Sequence, residues 1–202
     1  TVSGITASDK IYDGSTSATL TGTAVYSGLV SGDTFTGSYS GVFVDANVGT
    51  GKTVTITPSY SGADVNNYSV TDQSTTTADI SAKALTATAS TSNKTYDGGT
   101  TASTTLTFTG LVGSETLGQT VGSTFDNKNV GSNKTVTVNS ITLSDGSGLA
   151  ANYSISAGQT TTANITAKSL TVSGITASNK TYDGSTNATL DASLVVYSGL
   201  VD

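Results

Sequence analysis

The segment Lys10-Ile-Tyr-Asp-Gly14 returns twice along the chain, as Lys94-Thr-Tyr-Asp-Gly98 and as Lys180-Thr-Tyr-Asp-Gly184. The copies are about 84 residues apart, whereas one repeat of a solenoid protein has about 20–50 residues. So long a period is typical of an array of small domains. We therefore predict a first repeat at residues 1–82, a second at residues 83–167 and a partial third at residues 168–202.

Three further segments return in the same order and support this division. They are Ser27-Gly-Leu-Val30, with copies at Thr109-Gly-Leu-Val112 and Ser198-Gly-Leu-Val201, then Asn47-Val-Gly49 with Asn129-Val-Gly131, and Asn67-Tyr-Ser69 with Asn152-Tyr-Ser154. Because the chain starts inside a predicted strand, we expect it to be a piece of a larger protein.

Alternating apolar residues predict β-strands in each repeat. Val136 and Val138 alternate with threonine, and Ala78 and Ile80 alternate with Asp79. Helical periodicity is missing from every window of about ten residues, and Gly, Asp and Asn return about every 8–12 residues. We predict an all-β fold of small immunoglobulin-like β-sandwich domains. A β-grasp-like sheet is the alternative, since periodicity does not separate the two.

The segments that join the repeats contain neither glycine nor proline. They are Thr77-Ala-Asp-Ile-Ser-Ala-Lys-Ala-Leu-Thr86 and Thr162-Ala-Asn-Ile-Thr-Ala-Lys-Ser-Leu-Thr171. A flexible linker would be rich in Gly and Ser. We therefore expect the domains to be joined end to end as a stiff rod.

Large apolar residues at matching places in the first two repeats predict the core. They are Leu29, Phe35, Phe43 and Tyr68 in the first repeat, matched by Leu111, Leu117, Phe125 and Tyr153 in the second. The acidic residues are not kept in the same way. This contrast favours a scaffold over a repeated electrostatic binding face.

Composition excludes most enzymes. The chain has no His and no Cys, and Glu115 is its single glutamate. Without His and Cys, the usual zinc, haem and iron–sulfur sites and the Ser–His or Cys–His nucleophile pairs are excluded. We predict no catalytic residues, no resident metal and no enzymatic activity. Eight basic residues cannot form a nucleic-acid-binding face, and no apolar run is long enough to insert into a membrane.

The repeated pentapeptide has two interpretations. As a structural turn, its Asp accepts hydrogen bonds from nearby amides, its Gly takes a positive φ and its Tyr packs inward. As a ligand site, its Lys, Tyr and Asp would contact a bound molecule. Presence in every copy favours the turn. The predicted turn residues are Lys10, Tyr12, Asp13, Gly14, Lys94, Tyr96, Asp97, Gly98, Lys180, Tyr182, Asp183 and Gly184.

Three weaker hypotheses concern calcium, an isopeptide bond and carbohydrate. Calcium is a minor candidate, because no EF-hand-like loop is present and Asp79 at the first joint becomes Asn164 at the second. Lys94, Asn129 and Glu115 have the residue types of a Lys–Asn isopeptide site, although we expect no carboxylate at the place of Glu115 in the first repeat. Tyr39 and Tyr60, expected to be exposed, could offer a small carbohydrate platform.

The ordered set Lys-x-Tyr-Asp-Gly, Gly-Leu-Val, Asn-Val-Gly and Asn-Tyr-Ser resembles the YDG domain, a relative of the MBG domain. Both occur in tandem in large bacterial surface adhesins of the filamentous-haemagglutinin type. The resemblance covers two copies and a partial third. It implies an extracellular module, at the bacterial cell surface or in the secreted matrix, and offers no catalytic residues.

The resemblance implies a structural stalk or spacer that projects an adhesive region from the cell, with neighbouring repeats as its partners. One alternative is a self-associating fibre or biofilm-matrix component, in which Thr-rich edge strands exchange between copies. The other is a weak, multivalent module that binds surface glycans or host matrix.

Overall fold

The computed structural model describes residues 1–201, and β-strands form most of its regular structure. The strands of the first repeat are β1 (Val2–Ser3), β2 (Thr6–Ala7), β3 (Lys10–Ile11), β4 (Ser17–Ala18), β5 (Leu20–Thr21), β6 (Val25–Tyr26), β7 (Thr36–Phe43), β8 (Gly49–Ser61) and β9 (Thr75–Ser81). Within the described residues the helical segments are two 3-10 turns, Val65–Asn67 and Ala150–Asn152. The all-β prediction is confirmed.

A five-stranded sheet forms the main layer of the first repeat, in the order β3-β9-β8-β7-β4. The pair β3 and β9 is parallel and the other neighbours are antiparallel. Alternation along β7, β8 and β9 turns Phe43, Val54 and Ile80 to the buried side, while most of the threonines of these strands lie on the exposed side. Two antiparallel pairs, β1 with β6 and β2 with β5, complete this repeat.

The second repeat is built on the same sheet order, β12-β17-β15-β14. Its strands are β10 (Lys83–Ala84), β11 (Thr86–Thr91), β12 (Lys94–Thr95), β13 (Thr104–Thr109), β14 (Leu117–Phe125), β15 (Gly131–Asp145), β16 (Tyr153–Ser154) and β17 (Thr160–Thr166). β12 and β17 are again parallel. A single bridge from Thr101 to Thr124 takes the place that β4 has in the first repeat.

The partial third repeat contains two short antiparallel pairs with exposed strands. They are β18 (Thr171–Ser173) with β21 (Val196–Ser198), and β19 (Thr176–Ala177) with β20 (Leu190–Asp191). These pairs correspond to β1 with β6 and β2 with β5 of the first repeat.

The chain divides into two compact units that do not coincide with the repeats. The first unit is Thr1–Ala87 with Phe108–Thr120 and Thr142–Ser156; the second is Thr88–Thr107 with Val121–Ile141 and Ala157–Asp202. The core of the first unit includes Tyr12, Phe43, Val54, Ile80, Leu85 and Tyr153. The core of the second unit includes Phe125, Val136 and Ile165. The first unit thus contains residues of both the first and the second repeat.

A left-handed residue sits at the same irregular step in β8 and β15. Gly51 has φ +57° and Asn133 has φ +51°, and the register with the neighbouring strand shifts at these steps. The amide N–H of Gly51 donates to Asp79 Oδ1 at 2.7 Å, and that of Asn133 donates to Asn164 Oδ1 at 2.8 Å. The change from Asp79 to Asn164 therefore preserves a hydrogen-bond acceptor.

The predicted core residues have three outcomes. Phe43, Phe125 and Tyr153 are buried, whereas Phe35, Tyr68, Leu111 and Leu117 are half-buried. The prediction is wrong for Leu29, which is 36% exposed. Leu29 lies on a loop beside Gly28, whose φ is +94°, so that no strand alternation turns its side chain inward.

The expected exposure of Tyr39 and Tyr60 is also wrong. Both are half-buried in an aromatic cluster with Phe35, which lies 5.1 Å from Tyr60 between ring centroids. The hydroxyl of Tyr39 bonds to that of Tyr26 at 3.1 Å, and the hydroxyl of Tyr60 donates to Asp72. Their rings therefore serve packing in the first repeat and do not form an open platform.

Candidate functional site: a tyrosine turn at the joint between repeats

The repeated pentapeptide folds into the same turn in all three copies. In the first, Lys10 Nζ lies 2.8 Å from Asp13 Oδ1 and donates to the carbonyl oxygen of Ser15 at 2.9 Å. Asp13 Oδ1 also accepts the amide N–H of Ser15 at 2.8 Å, and Gly14 has φ +77°. One lysine and one carboxylate therefore close the turn from within.

The second and third turns repeat these contacts. Lys94 Nζ lies 2.7 Å from Asp97 Oδ1, and Lys180 Nζ lies 2.7 Å from Asp183 Oδ1. Gly98 has φ +81° and Gly184 has φ +75°. The hydrogen bond from each lysine holds the pKa of its partner Asp below the ordinary value in all three turns. The lysine is thus part of the turn itself.

The side chain of Tyr12, in the first turn, contacts residues of the second repeat. Tyr12 is 5% exposed and packs edge-on against Tyr153 of the second repeat, with ring centroids 5.4 Å apart. Its hydroxyl donates to Glu115 Oε1 at 2.7 Å, and the hydroxyl of Tyr153 donates to Glu115 Oε2 at 2.5 Å. A single carboxylate therefore accepts one tyrosine from each of two repeats, within the first compact unit.

Apolar residues of the second repeat surround this contact. We call this surface the second cup; its residues are Phe108, Leu111, Leu117, Tyr153 and Ile155, which belong to or pack against the cluster that contains Tyr12. The turn approaches closely, since a Cβ at Gly14 would lie 2.9 Å from Val112 Cγ1.

A second polar contact lies beside the first. Asn152, 2% exposed, accepts the amide N–H of Val48 at 2.9 Å and donates to Asn47 Oδ1 at 3.0 Å. Both of its partners belong to the first repeat. A buried amide without these hydrogen bonds would lower the free energy of unfolding by about 1–3 kcal/mol. The two bonds therefore favour one relative position of the first repeat and Asn152.

The carboxylate at the joint shifts the titration of its tyrosines. The hydrogen bond to Glu115, followed by burial, raises the pKa of Tyr12 to about 12. Burial, followed by the bond to Glu115, also raises the pKa of Tyr153. Both tyrosines are therefore neutral donors at neutral pH.

The other two turn tyrosines have different surroundings. Tyr96 is half-buried and borders a cavity of about 250 Å³, together with Val130, Leu170 and Leu200 of the second unit. Tyr182 is 94% exposed. The same turn therefore presents its tyrosine in three states of burial.

Sequence reasoning missed the role of Glu115 and its equivalent. Counting back 82 positions, as from Leu111 to Leu29, places Asp33 at the position of Glu115. Asp33 Oδ2 accepts the hydroxyl of Tyr68 at 2.6 Å, just as Glu115 accepts that of Tyr153. The expectation that the first repeat has no carboxylate there was wrong. Aligning the two repeats on Leu29-Val30 and Leu111-Val112 would have placed Asp33 opposite Glu115.

The remaining candidate residues have structural partners. Lys94 Nζ donates to Gly99 O at 2.8 Å in addition to its pairing with Asp97. Glu115 accepts the hydroxyls of two tyrosines. Asp79 accepts a backbone amide at the first joint. Within residues 1–201 no group of three or more Asp and Glu side chains is placed to hold a metal ion.

Comparison with known proteins identifies one family. The model of the YDG domain matches residues 1–78, 81–163 and 166–202. No curated protein and no solved structure matches the chain. Within residues 1–201 no helix is long and apolar enough to cross a membrane.

Proposed function

Because the chain belongs to the YDG-domain family along nearly its whole length, we propose that it is a stalk or spacer module of a secreted bacterial surface adhesin, which projects an adhesive region from the cell. The observation that carries this proposal is the buried contact between Tyr12 and Glu115. A spacer holds its load at a distance only when neighbouring domains do not swivel, and this contact opposes swivelling.

The segment that connects the first two repeats also favours a spacer. Lys83 and Ala84 form β10, which pairs in parallel with Tyr153 and Ser154 of β16. The connection is thus hydrogen-bonded into the second repeat, in contrast to a free Gly/Ser linker. Movement at the joint would break the contacts of Tyr12 with Glu115 and of Asn152 with Asn47 and Val48.

Surface display tests the proposal directly. The chain is placed between an outer-membrane anchor and an epitope tag on a bacterium with a dense surface coat, and access of an antibody to the tag is measured. We expect access to rise when the chain is inserted, and to fall when Tyr12→Ala loosens the first joint. Equal access with and without the chain would contradict a spacer role.

A further inference from the structure

In each of the first two repeats, the first and last strands of the main sheet in chain order are neighbours and run in parallel. β3 pairs with β9, with Lys10 opposite Ile80, and β12 pairs with β17, with Lys94 opposite Ile165. The first pair lies within the first compact unit and the second pair within the second unit. We propose that each parallel pair is a mechanical clamp, which lets its repeat carry tension along the chain.

The direction of the two strands decides how tension reaches the hydrogen bonds between them. The chain enters the sheet at the start of β3 and leaves it at the end of β9. Because the strands are parallel, these two places lie at opposite ends of the pair. Tension therefore pulls the two strands past each other and loads all their bonds together. In an antiparallel pair the two places would lie at the same end, and the bonds would open one after another.

Further hydrogen bonds extend the short ladder of the first clamp. The amide of Tyr12 donates to Ser81 O at 2.8 Å, and the hydroxyl of Ser81 donates to Lys10 O at 3.3 Å. Before β3, Asp9 Oδ1 accepts the amide of Asp79 at 2.7 Å. The clamp therefore reaches from Asp9 to Tyr12, whereas β3 itself has only two residues.

The second clamp has the same bonds at the same places. The amide of Tyr96 donates to Thr166 O at 2.8 Å, and the hydroxyl of Thr166 donates to Lys94 O at 3.3 Å. Asn93 Oδ1 accepts the amide of Asn164 at 2.7 Å. Thr thus stands where the first clamp has Ser, and Asn where it has Asp, yet every donor and acceptor is kept. The recurrence of the whole set around a parallel pair supports one role in both repeats.

The lysine of the pentapeptide anchors the clamp strand to the far edge of the sheet. Lys10 lies in β3 at one edge, and its Nζ donates to Ser17 O at 3.2 Å, in β4 at the other edge. The same Nζ lies 5.7 Å from the centre of the Phe43 ring. In the second repeat, Lys94 Nζ donates to Thr101 O at 3.1 Å. A clamp strand that slides past its neighbour must therefore also pull its lysine away from these partners.

The proposed clamp does not depend on the spacer role. A domain can resist swivelling through the packing of Tyr12 in the second cup and still yield to tension. Conversely, a clamped repeat can carry tension in a protein that projects no adhesive region. Surface display therefore tests the spacer role, whereas a pulling experiment tests the clamp.

Single-molecule force spectroscopy of the 202-residue chain, held at its two ends between marker domains, tests the clamp. Each clamp encloses about 70 residues, so its rupture should release about 230–260 Å of extended chain. We expect two unfolding events of this length. Many small steps without these two events would contradict the proposal, because strands that peel away singly do not carry tension together.

Asp9→Ala tests a single bond of the first clamp. This variant removes the acceptor of the Asp79 amide, and loss of one hydrogen bond should make one of the two repeats unfold about fivefold faster at constant force. Asp9→Asn is the matched control, since it keeps an acceptor oxygen, as Asn93 does in the second repeat. It should unfold at the wild-type rate. Equal rates for Asp9→Ala and Asp9→Asn would contradict the clamp.

The direction of pulling separates a clamp from ordinary stability. The chain has no Cys, so Thr6→Cys and Thr77→Cys, both exposed, provide two handles at the same end of the first clamp. Force between these handles opens the bonds one after another, and rupture should need less force than either end-to-end event. The free energy of unfolding does not depend on where the handles are attached, so a clamp accounts for the difference. Equal forces in the two directions would overturn the proposal.

Discussion

The hydroxyl of Tyr12 donates to the carboxylate of Glu115, which lies 103 residues further along the chain, at 2.7 Å. The donor belongs to the turn that defines one repeat, and the acceptor is the single glutamate of the chain, in the next repeat. Since Tyr153 of the second repeat shares the same carboxylate, the bond links the joint to the packing of the second repeat. The repeated turn is therefore a joint element as well as a local turn.

Removing the side chain of Tyr12 should weaken the first compact unit. We expect Tyr12→Ala to lower the free energy of unfolding by about 3–5 kcal/mol, because a buried aromatic ring leaves a cavity. Tyr12→Phe should cost about 1–2 kcal/mol through the lost bond to Glu115. Urea unfolding followed by circular dichroism measures both.

The matched control for these variants is Tyr182→Ala, in the same turn with its ring in solvent. We expect a change within about 0.5 kcal/mol for this exposed position. Equal effects of Tyr12→Ala and Tyr182→Ala would show that the ring of Tyr12 contributes nothing at the joint.

Asn152 offers an independent test of the joint. Asn152→Ala should destabilise the chain by about 1–3 kcal/mol, since the amide of Val48 loses its acceptor inside the structure. Asn67 holds the same place in the first repeat but is exposed. Asn67→Ala should therefore stay within about 0.5 kcal/mol of wild type in urea unfolding. A reversed order of the two variants would contradict the register described for the joint.

The stability of the joint should fall in alkaline solution. The pKa of Tyr12 is raised to about 12, whereas an unfolded tyrosine titrates near about 10. Because the raised pKa favours the neutral form in the folded state, this stabilisation is complete below about pH 10 and is lost as the pH rises towards about 12. Burial also raises the pKa of Tyr60 to about 12, so the first repeat contributes to the same loss.

Unfolding in urea at a series of pH values from about 8 to about 11.5 measures this effect, with tyrosinate absorbance as the second readout. Tyr12→Phe should have a shallower decline than wild type, because one shifted group is removed. Identical pH profiles for the two proteins would contradict the role of the Tyr12 hydroxyl. Tyr182→Phe, at an exposed position, is the control and should follow the wild-type profile.

The left-handed step in β8 and β15 predicts opposite effects of two substitutions. Gly51→Ala should cost about 1–2 kcal/mol, because an L side chain is strained at φ +57° although nothing lies within 4 Å of its Cβ. Asn133→Gly should be neutral or stabilise slightly, since glycine adopts this conformation without strain. Thermal unfolding measures both, with Gly99→Ala as the control at a glycine without positive φ. A neutral Gly51→Ala would contradict the assigned backbone conformation.

The sequence predicted the local structure of the turns and strands. An Asp-Gly pair after a short apolar segment predicts a carboxylate that accepts amides and a glycine with positive φ, and residues such as Asp13 and Gly14 do this. Alternation along Val136 and Val138 predicted a strand because one face of the sheet is buried. Both signals depend only on residues close together in the chain.

The sequence did not predict which distant residues a side chain contacts. The turn interpretation predicts that Tyr12 packs inward, but it does not show that the residues it packs against belong to the next repeat. For the same reason the parallel pairing of Lys10 with Ile80 was not predicted, since one chain contains no signal for which distant strands meet.

The drift of charge between repeats also has a physical account that the sequence concealed. Asp9 Oδ1 accepts the amide of Asp79, and Asn93 Oδ1 accepts that of Asn164, both at 2.7 Å. Asp and Asn are equivalent where only an acceptor oxygen is required. Charge therefore changes at such positions without loss of the hydrogen bond to the backbone.

The most direct test of the account is the width of a distance distribution across the first joint. The chain has no Cys, so Thr55→Cys and Thr142→Cys, both exposed, place one spin label in each of two neighbouring repeats within the first compact unit. Double electron–electron resonance should give one narrow distribution for the wild type and for Tyr182→Ala, and a broad one for Tyr12→Ala. A broad wild-type distribution, or the same narrow one after Tyr12→Ala, would contradict the claim that Tyr12 fixes neighbouring repeats.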